Sequence, residues 1–266
     1  MKQVEDSVAH YHDLLAKATT DSLREKACAQ MSEIIRDNIS SPDFFSYPFD
    51  KWKFSKILSS DGLVRIINWN SPREDDSYLY YCFILRKKSD DEPLEWFELK
   101  DYPKEVDKIE NKFLNADKWF GALYYDIIPL EKKKKTDTYI LFGWDGKDEL
   151  TTRKVIDAVT FTGNKVRLGA SIFPSEIGEK KRLIFEYSNE VSMSVKYYPK
   201  KSCFVVDHLA PKNPMMTGIF ADYGPDGTYD LYQLEKSKFV LYEKIDVSKF
   251  AAEDDKPYND PRKRRR

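Results

Sequence analysis

The chain has 266 residues, with 44 basic and 45 acidic side chains and a formal net charge of −1, so no global field steers it toward nucleic acid. A hydrophobic fraction of 41% beside a charged fraction of 33% fits a globular protein of one large or two small domains. No run approaches the roughly 20 apolar residues of a membrane span.

From the N-terminus, Val4, Val8, Tyr11, Leu15 and Ala18 fall on one helical face over residues 3–18. Thr19-Thr20-Asp21 interrupts the pattern. Ser22 and Glu25 have capping-box spacing, and Leu23, Ala27, Met31 and Ile34 form a second stripe. Ser40-Ser41-Pro42 ends it, since proline cannot continue a helix. The spacing predicts a helical hairpin over 1–40 that needs a partner for its stripes.

After Pro42 the periodicity changes. Aromatics make up 14% of the chain, and large rings suit a pleated, half-buried surface. Strands are expected at Leu63–Trp69, Tyr78–Leu85, Trp119–Ile128, Tyr139–Trp144, Val166–Phe173, Arg182–Tyr187, Val191–Tyr197, Cys203–Val206, Tyr229–Leu234 and Phe239–Tyr242. Val191, Met193, Val195 and Tyr197 alternate with Ser192, Ser194 and Lys196, the pattern of a strand with one wet face. Short helices are expected over 104–117, from Val106, Ile109 and Phe113, and over 152–160, from Val155, Ile156 and Val159. Residues 41–250 thus read as an antiparallel β-rich domain, and 251–266 as a disordered charged tail. The fold class is mainly β with α additions: the helical hairpin packed on a β-sandwich or multi-stranded sheet, the alternative being a small or irregular β-propeller.

Three Asp-Gly pairs, at Asp61, Asp145 and Asp226, read as tight type I′ turns, because glycine accepts positive φ. The run Asp222 to Asp230 holds three acids four residues apart, which is the wrong ligand spacing for an EF-hand loop. Cys28, Cys82 and Cys203 show no zinc or disulfide-framework pattern. They read as buried free thiols, with a Cys82–Cys203 bridge open in an oxidising compartment. No metal or cofactor is called for.

His10 and His12 are two apart on a helix and point in different directions. His208 follows Asp207 at a strand end, and the pair is the catalytic candidate. Adjacent strand residues face opposite sides of a sheet, however, so Asp207 is poorly placed to orient the imidazole. No GxSxG elbow, P-loop, dinucleotide fingerprint or HExxH is present. Trp52, Trp69, Trp96, Trp119 and Trp144 could stack on sugars or fill the core. Candidate ligand-binding residues are Trp144, Asp145, Trp69 and Asp226. The terminal Arg262 to Arg266 cluster reads as a solvated tail, and no nucleic-acid partner is expected.

Five motifs resemble an uncharacterised family of exported proteins of Bacteroidota-type bacteria. They are Ser60 through Asn70, Leu141-Phe142-Gly143-Trp144-Asp145-Gly146, Phe185-Glu186-Tyr187-Ser188, Val206 through Pro211, and Tyr223-Gly224-Pro225-Asp226-Gly227, covering roughly Lys51 to Asp246. The resemblance implies a periplasmic or outer-membrane-associated setting and no particular chemistry. Met1 to Asp6 lack the apolar core of a signal peptide, so a mature exported form and a cytoplasmic protein both remain open. The expectation is a non-catalytic envelope binding or scaffold protein with a protein or glycan partner. The alternative is a hydrolase using His208 with nearby carboxylates such as Asp207, Asp222 or Asp226.

Overall fold

A computed structural model of the chain describes residues 1–88, 92–102, 108–130 and 137–246. The chain begins as an antiparallel pair of helices, α1 (Lys2–Lys17) and α2 (Asp21–Asn38). The cap of α2 is Thr20, whose hydroxyl accepts the Leu23 N–H at 3.4 Å, so the helix starts ahead of the expected Ser22–Glu25 box. Thr20 takes the role because its extended backbone turns the chain into the helix.

Three antiparallel sheets of four, five and four strands follow. Sheet 1 is a meander of β1 (Ser55–Leu58), β2 (Val64–Pro72), β3 (Tyr78–Arg86) and β4 (Glu95–Lys100). Sheet 2 joins β5 (Leu123–Pro129), β6 (Asp137–Asp145) and β7 (Thr151–Thr162). Its remaining edge holds β8 (Lys165–Leu168), paired with the end of β7, and β11 (Leu183–Ser188), paired with its start. Between these lies the small ladder of β9 (Phe173–Pro174) and β10 (Glu179–Lys180). Sheet 3 is a second meander: β12 (Val195–Tyr198), β13 (Cys203–Pro211), β14 (Tyr223–Glu235) and β15 (Lys238–Ile245).

The cores show how these layers stack. Ile67, Trp69, Phe83 and Leu85 on one face of sheet 1 pack with Val8, Leu15, Cys28, Met31 and Ile35 of the helices. Val64, Ile66, Cys82 and Ile84 on the other face meet Tyr139, Leu141, Val155 and Val159 of sheet 2. The opposite face of sheet 2 offers Ile140, Phe142, Ile156 and Leu183 to Phe204, Val206, Tyr232 and Phe239 of sheet 3. The order is therefore helices, sheet 1, sheet 2, sheet 3. A propeller would need at least four blades closed in a ring. Here the outer face of sheet 1 is covered by helices, so the stack is open and the propeller alternative fails.

This layering overturns several readings. Strands from Leu63 onward are expected to alternate between a dry interior and water, yet Val64 to Trp69 are all buried, because sheet 1 is covered on both faces. The same cause misled the expected helix over 152–160. Those residues form β7, a central strand whose β-branched Val155, Ile156 and Val159 serve two cores at once. Over 104–117, residues 103–107 lie outside the described residues, and only a 3₁₀ turn, Ile109–Asn111, is present in the rest. The expected strand from Val191 begins only at Val195, and the one from Trp119 only at Leu123. The expected tail over 251–266 lies outside the described residues. All three cysteines are free and buried, with Cys82 between sheets 1 and 2 and Cys203 on the far side of sheet 3, which excludes a bridge between them.

Buried polar groups pin the layers together. Asn68 is fully buried in β2, accepts the Tyr124 N–H at 2.8 Å and donates to the Tyr124 carbonyl at 3.2 Å, tying sheet 1 to sheet 2. Arg65 donates to the Phe45 and Tyr47 carbonyls at 2.6 and 2.7 Å, holding the aromatic segment 44–49, whose Phe44, Phe45 and Phe49 pack with the helices. Asp157 and Arg182, both 0% exposed, form an ion pair at 3.1 Å between Nε and Oδ2. Arg182 Nη1 also donates to the Ile109 and Lys112 carbonyls, which holds that segment as a turn rather than a helix.

Candidate functional site

A cleft of about 510 Å³ opens at the end of sheet 2 where β6 turns into β7. The strand register builds its floor. Trp144 of β6 lies opposite Lys154 of β7, and Thr152 of β7 lies opposite Tyr187 of β11, all on the face that looks toward sheet 3. Further along that face the positions are apolar and covered. At this end the cover is the segment before β12, which contributes Val191, Ser192 and Met193 to the wall. Tyr78, at the start of β3, closes the opposite side with its ring edge-to-face on Trp144, centroids 5.4 Å apart at 71°. Asp76, Asp148, Glu149 and Asn189 complete the rim.

Gly146 lets the rings approach. A Cβ there would stand 2.3 Å from Tyr78 and 2.7 Å from Trp144, so no larger residue fits with both rings in place. Lys154 is half-buried with its ammonium over the Tyr125 ring at 4.9 Å, and burial lowers its pKa.

Beneath the turn lies a polar network that fixes its shape. Asp145, 0% exposed, accepts the Tyr80 hydroxyl at 3.1 Å and the Lys147 N–H at 3.1 Å, and lies 3.5 Å from Arg153 Nη1. The Tyr80 oxygen in turn accepts the Gly146 N–H at 2.8 Å. Arg153 Nε reaches Glu186 at 2.8 Å, and Lys147 pairs with the other oxygen of the same carboxylate. Burial works against ionised Glu186, yet the two cations hold its pKa below the usual carboxylate range. Asp148 accepts the Leu150 and Thr151 N–H groups at 2.9 and 2.8 Å, closing the turn.

Of the residues singled out in the sequence, Trp144 lines this cleft and Asp145 supports it from below, out of reach of a ligand. Trp69 corrects the expectation of a ligand contact. It is 1% exposed beneath the helices, stacked on Tyr81 at 5.2 Å, and has no surface to offer. Asp226-Gly227 is not a hairpin turn but an irregularity within β14, where the pairing with β13 shifts opposite His208. Its carboxylate accepts the Thr228 hydroxyl and N–H, and these bonds lower its pKa. Asp145-Gly146 likewise ends a strand on a buried carboxylate rather than forming a type I′ turn. Asp61-Gly62 lies in the tight connection between β1 and β2, with Gly62 at φ +72°. Among the described residues, no group of three His, Cys, Asp or Glu side chains is arranged to hold a metal ion.

His208 does not line the Trp144 cleft. Its Nδ1 meets the Asp230 carboxylate at 2.8 Å, whereas Asp207 on the other face accepts the Ser194 N–H at 2.7 Å. The orienting carboxylate therefore exists but is a different residue, brought across by the β13–β14 pairing. Sequence reasoning also missed Tyr78, Lys154, Arg153 and Glu186. The only available signal was that Trp144 and Glu186 both stand inside the quoted motifs. No helix among the described residues is long and apolar enough to cross a membrane. Comparisons with family models, curated proteins and solved structures found no match to this chain.

Proposed function

We propose that the protein is a non-catalytic binding protein of the cell envelope, and that its ligand is a glycan seated in the cleft beside Trp144. The envelope setting rests on the resemblance of the central motifs to exported proteins. The glycan reading rests on one observation: the Trp144–Tyr78 pair lines a cleft rimmed by both donors and acceptors. A sugar ring has an apolar C–H face that packs on an aromatic ring, and hydroxyls that each give and take a hydrogen bond. Lys154 and Asn189 can donate, while Asp76, Asp148 and Glu149 can accept.

The test is titration calorimetry against a panel of neutral, acidic and amino-sugar oligosaccharides. Replacing Trp144 with Ala should weaken binding by about 10–100-fold, the usual range for an aromatic anchor. Absence of binding across the panel, or equal affinity in the variant, would overturn the reading.

The hydrolase alternative is favoured by one observation, the His208–Asp230 pair. Among the described residues no hydroxyl or thiol donates to that ring, so the nucleophile such a site needs is missing from its hydrogen bonds. Hydrolysis of ester or glycoside substrates that disappears in His208→Ala would establish it in place of the binding role.

A further inference from the structure

The charges that line the Trp144 cleft are sorted by position. Lys154 stands on the floor, within β7 and opposite Phe185 of β11. It lies two residues further into the sheet than Thr152, about 7 Å by the rise of a strand. The acids come from turns beyond the strand ends: Asp76 from the connection between β2 and β3, Asp148 and Glu149 from that between β6 and β7. A cation therefore stands among the strands, and the anions stand at their ends.

The protein itself leaves both signs unmet. Lys154 is half-buried, and among the described residues its ammonium forms no ion pair; the Tyr125 ring faces it at 4.9 Å. Burial lowers its pKa with no neighbouring anion to oppose the shift. Asp148 is engaged by the Leu150 and Thr151 N–H groups and by Lys147 at 3.1 Å. Asp76 and Glu149 are exposed, and among the described residues their carboxylates make no hydrogen bond or ion pair. Their bonds run through the backbone, from the Asp76 N–H to the Arg73 carbonyl at 3.2 Å and from the Asn189 side chain to the Glu149 carbonyl.

Resting on the glycan reading above, we propose that the ligand is a zwitterionic sugar, which brings a carboxylate to Lys154 and an amine to Asp76 and Glu149. A half-buried ammonium without a counter-ion carries a desolvation cost, and a ligand carboxylate beside it offsets that cost. The exposed acids carry no such cost, and their part is selection. They repel a purely acidic glycan and attract an ammonium group, while Lys154 repels a purely basic one. A ligand carrying both signs, set apart as the cleft sets them, meets no like charge. The Trp144–Tyr78 pair supplies the apolar contact common to sugars, so the charges decide which sugar is held.

Four sugars on one glucose frame separate the charges. N-acetylglucosamine is neutral, glucosamine carries the amine, N-acetylmuramic acid carries the carboxylate, and muramic acid carries both. Each is titrated calorimetrically into the whole chain at a slightly acidic pH that keeps the amines protonated. Muramic acid should bind at least tenfold more tightly than N-acetylglucosamine. Lys154→Gln should remove the gain that comes with the carboxylate and keep the gain that comes with the amine. The Asp76→Asn, Glu149→Gln variant should do the reverse. Equal or tighter binding of the neutral sugar by the wild type, or an advantage of muramic acid that survives in both variants, would overturn the zwitterion assignment and leave the glycan reading standing. Binding of an oligosaccharide from the wider panel but of none of the four would do the same. Silence from the four and from the whole panel would overturn both.

Discussion

Replacing Asp157 with Ala removes half of an ion pair that has no access to water. The neighbours define the cost. Arg182 would keep two carbonyl partners, Ile109 and Lys112, but its charge would stay buried with no counter-ion. Leaving one member of a buried pair uncompensated costs about 3–5 kcal/mol. For a chain of this size each kcal/mol moves the melting temperature by about 2–4 °C, so the midpoint should fall by roughly 6–20 °C. Arg182→Ala should cost at least as much, because two carbonyls lose their donor and Asp157, whose pKa burial already raises, is left buried without its counter-ion. In the double variant neither charge is stranded, and its loss should be smaller than the sum of the single losses by about 2–3 kcal/mol. Urea denaturation followed by circular dichroism reads all four corners of the cycle. Additivity within about 0.5 kcal/mol would refute the claim that the pair acts as a unit.

Gly146→Ala should separate the Tyr78 and Trp144 rings, since the added Cβ falls within 2.7 Å of both. Near-ultraviolet circular dichroism should change in the tryptophan bands and glycan binding should drop at least tenfold, whereas unchanged spectra would mean the turn yields elsewhere. Glu186 supplies a pH dependence with a definite sign. Its folded pKa is depressed, so its contribution is complete above the ordinary glutamate value of 4.5 and is lost as pH falls through the lower folded value. Glu186→Gln should therefore flatten the stability profile below about pH 4.5, and an unaltered acid limb in chemical denaturation would refute the assignment. Cys28, Cys82 and Cys203 should all resist a thiol reagent in the native state and all react in denaturant, with no change in melting temperature on adding a reductant. Rapid labelling of any of them would contradict the packing described.

The helical hairpin was legible because Val8, Leu15, Met31 and their neighbours repeat at a period that only a helix turns to one side. Many of the strands were legible from β-branched and aromatic runs bounded by turns. What sequence could not convey is how many faces of a strand are dry. β7 carries Val155 and Ile156 side by side because each belongs to a different core, and that run has the same appearance as one turn of a buried helix. β1 and β4 escaped notice for a related reason: Ser55–Leu58 and Glu95–Lys100 are short, and their polar members disguise the pairing. At the candidate site, Trp69 and Trp144 were both candidate ligand-binding rings, and only Trp144 stood beside an Asp-Gly pair. Their difference lies in the helices, which arrive from some 30 to 60 residues upstream to cover the first and not the second. Asp230, the true partner of His208, is 22 residues away in the chain, and the shift of register that sets it there has no local signature.

The layers are stacked in the order in which they leave the ribosome. A growing chain can complete the helices, then sheet 1 against them, then sheet 2 against sheet 1, each meander closing through near neighbours before the next is made. Every finished layer then waits with one bare apolar face. While sheet 3 is still being synthesised, Ile140, Phe142, Ile156 and Leu183 stand uncovered, which makes the half-built protein a target for chaperones and for self-association. A stop codon just after β11 would leave that condition permanent.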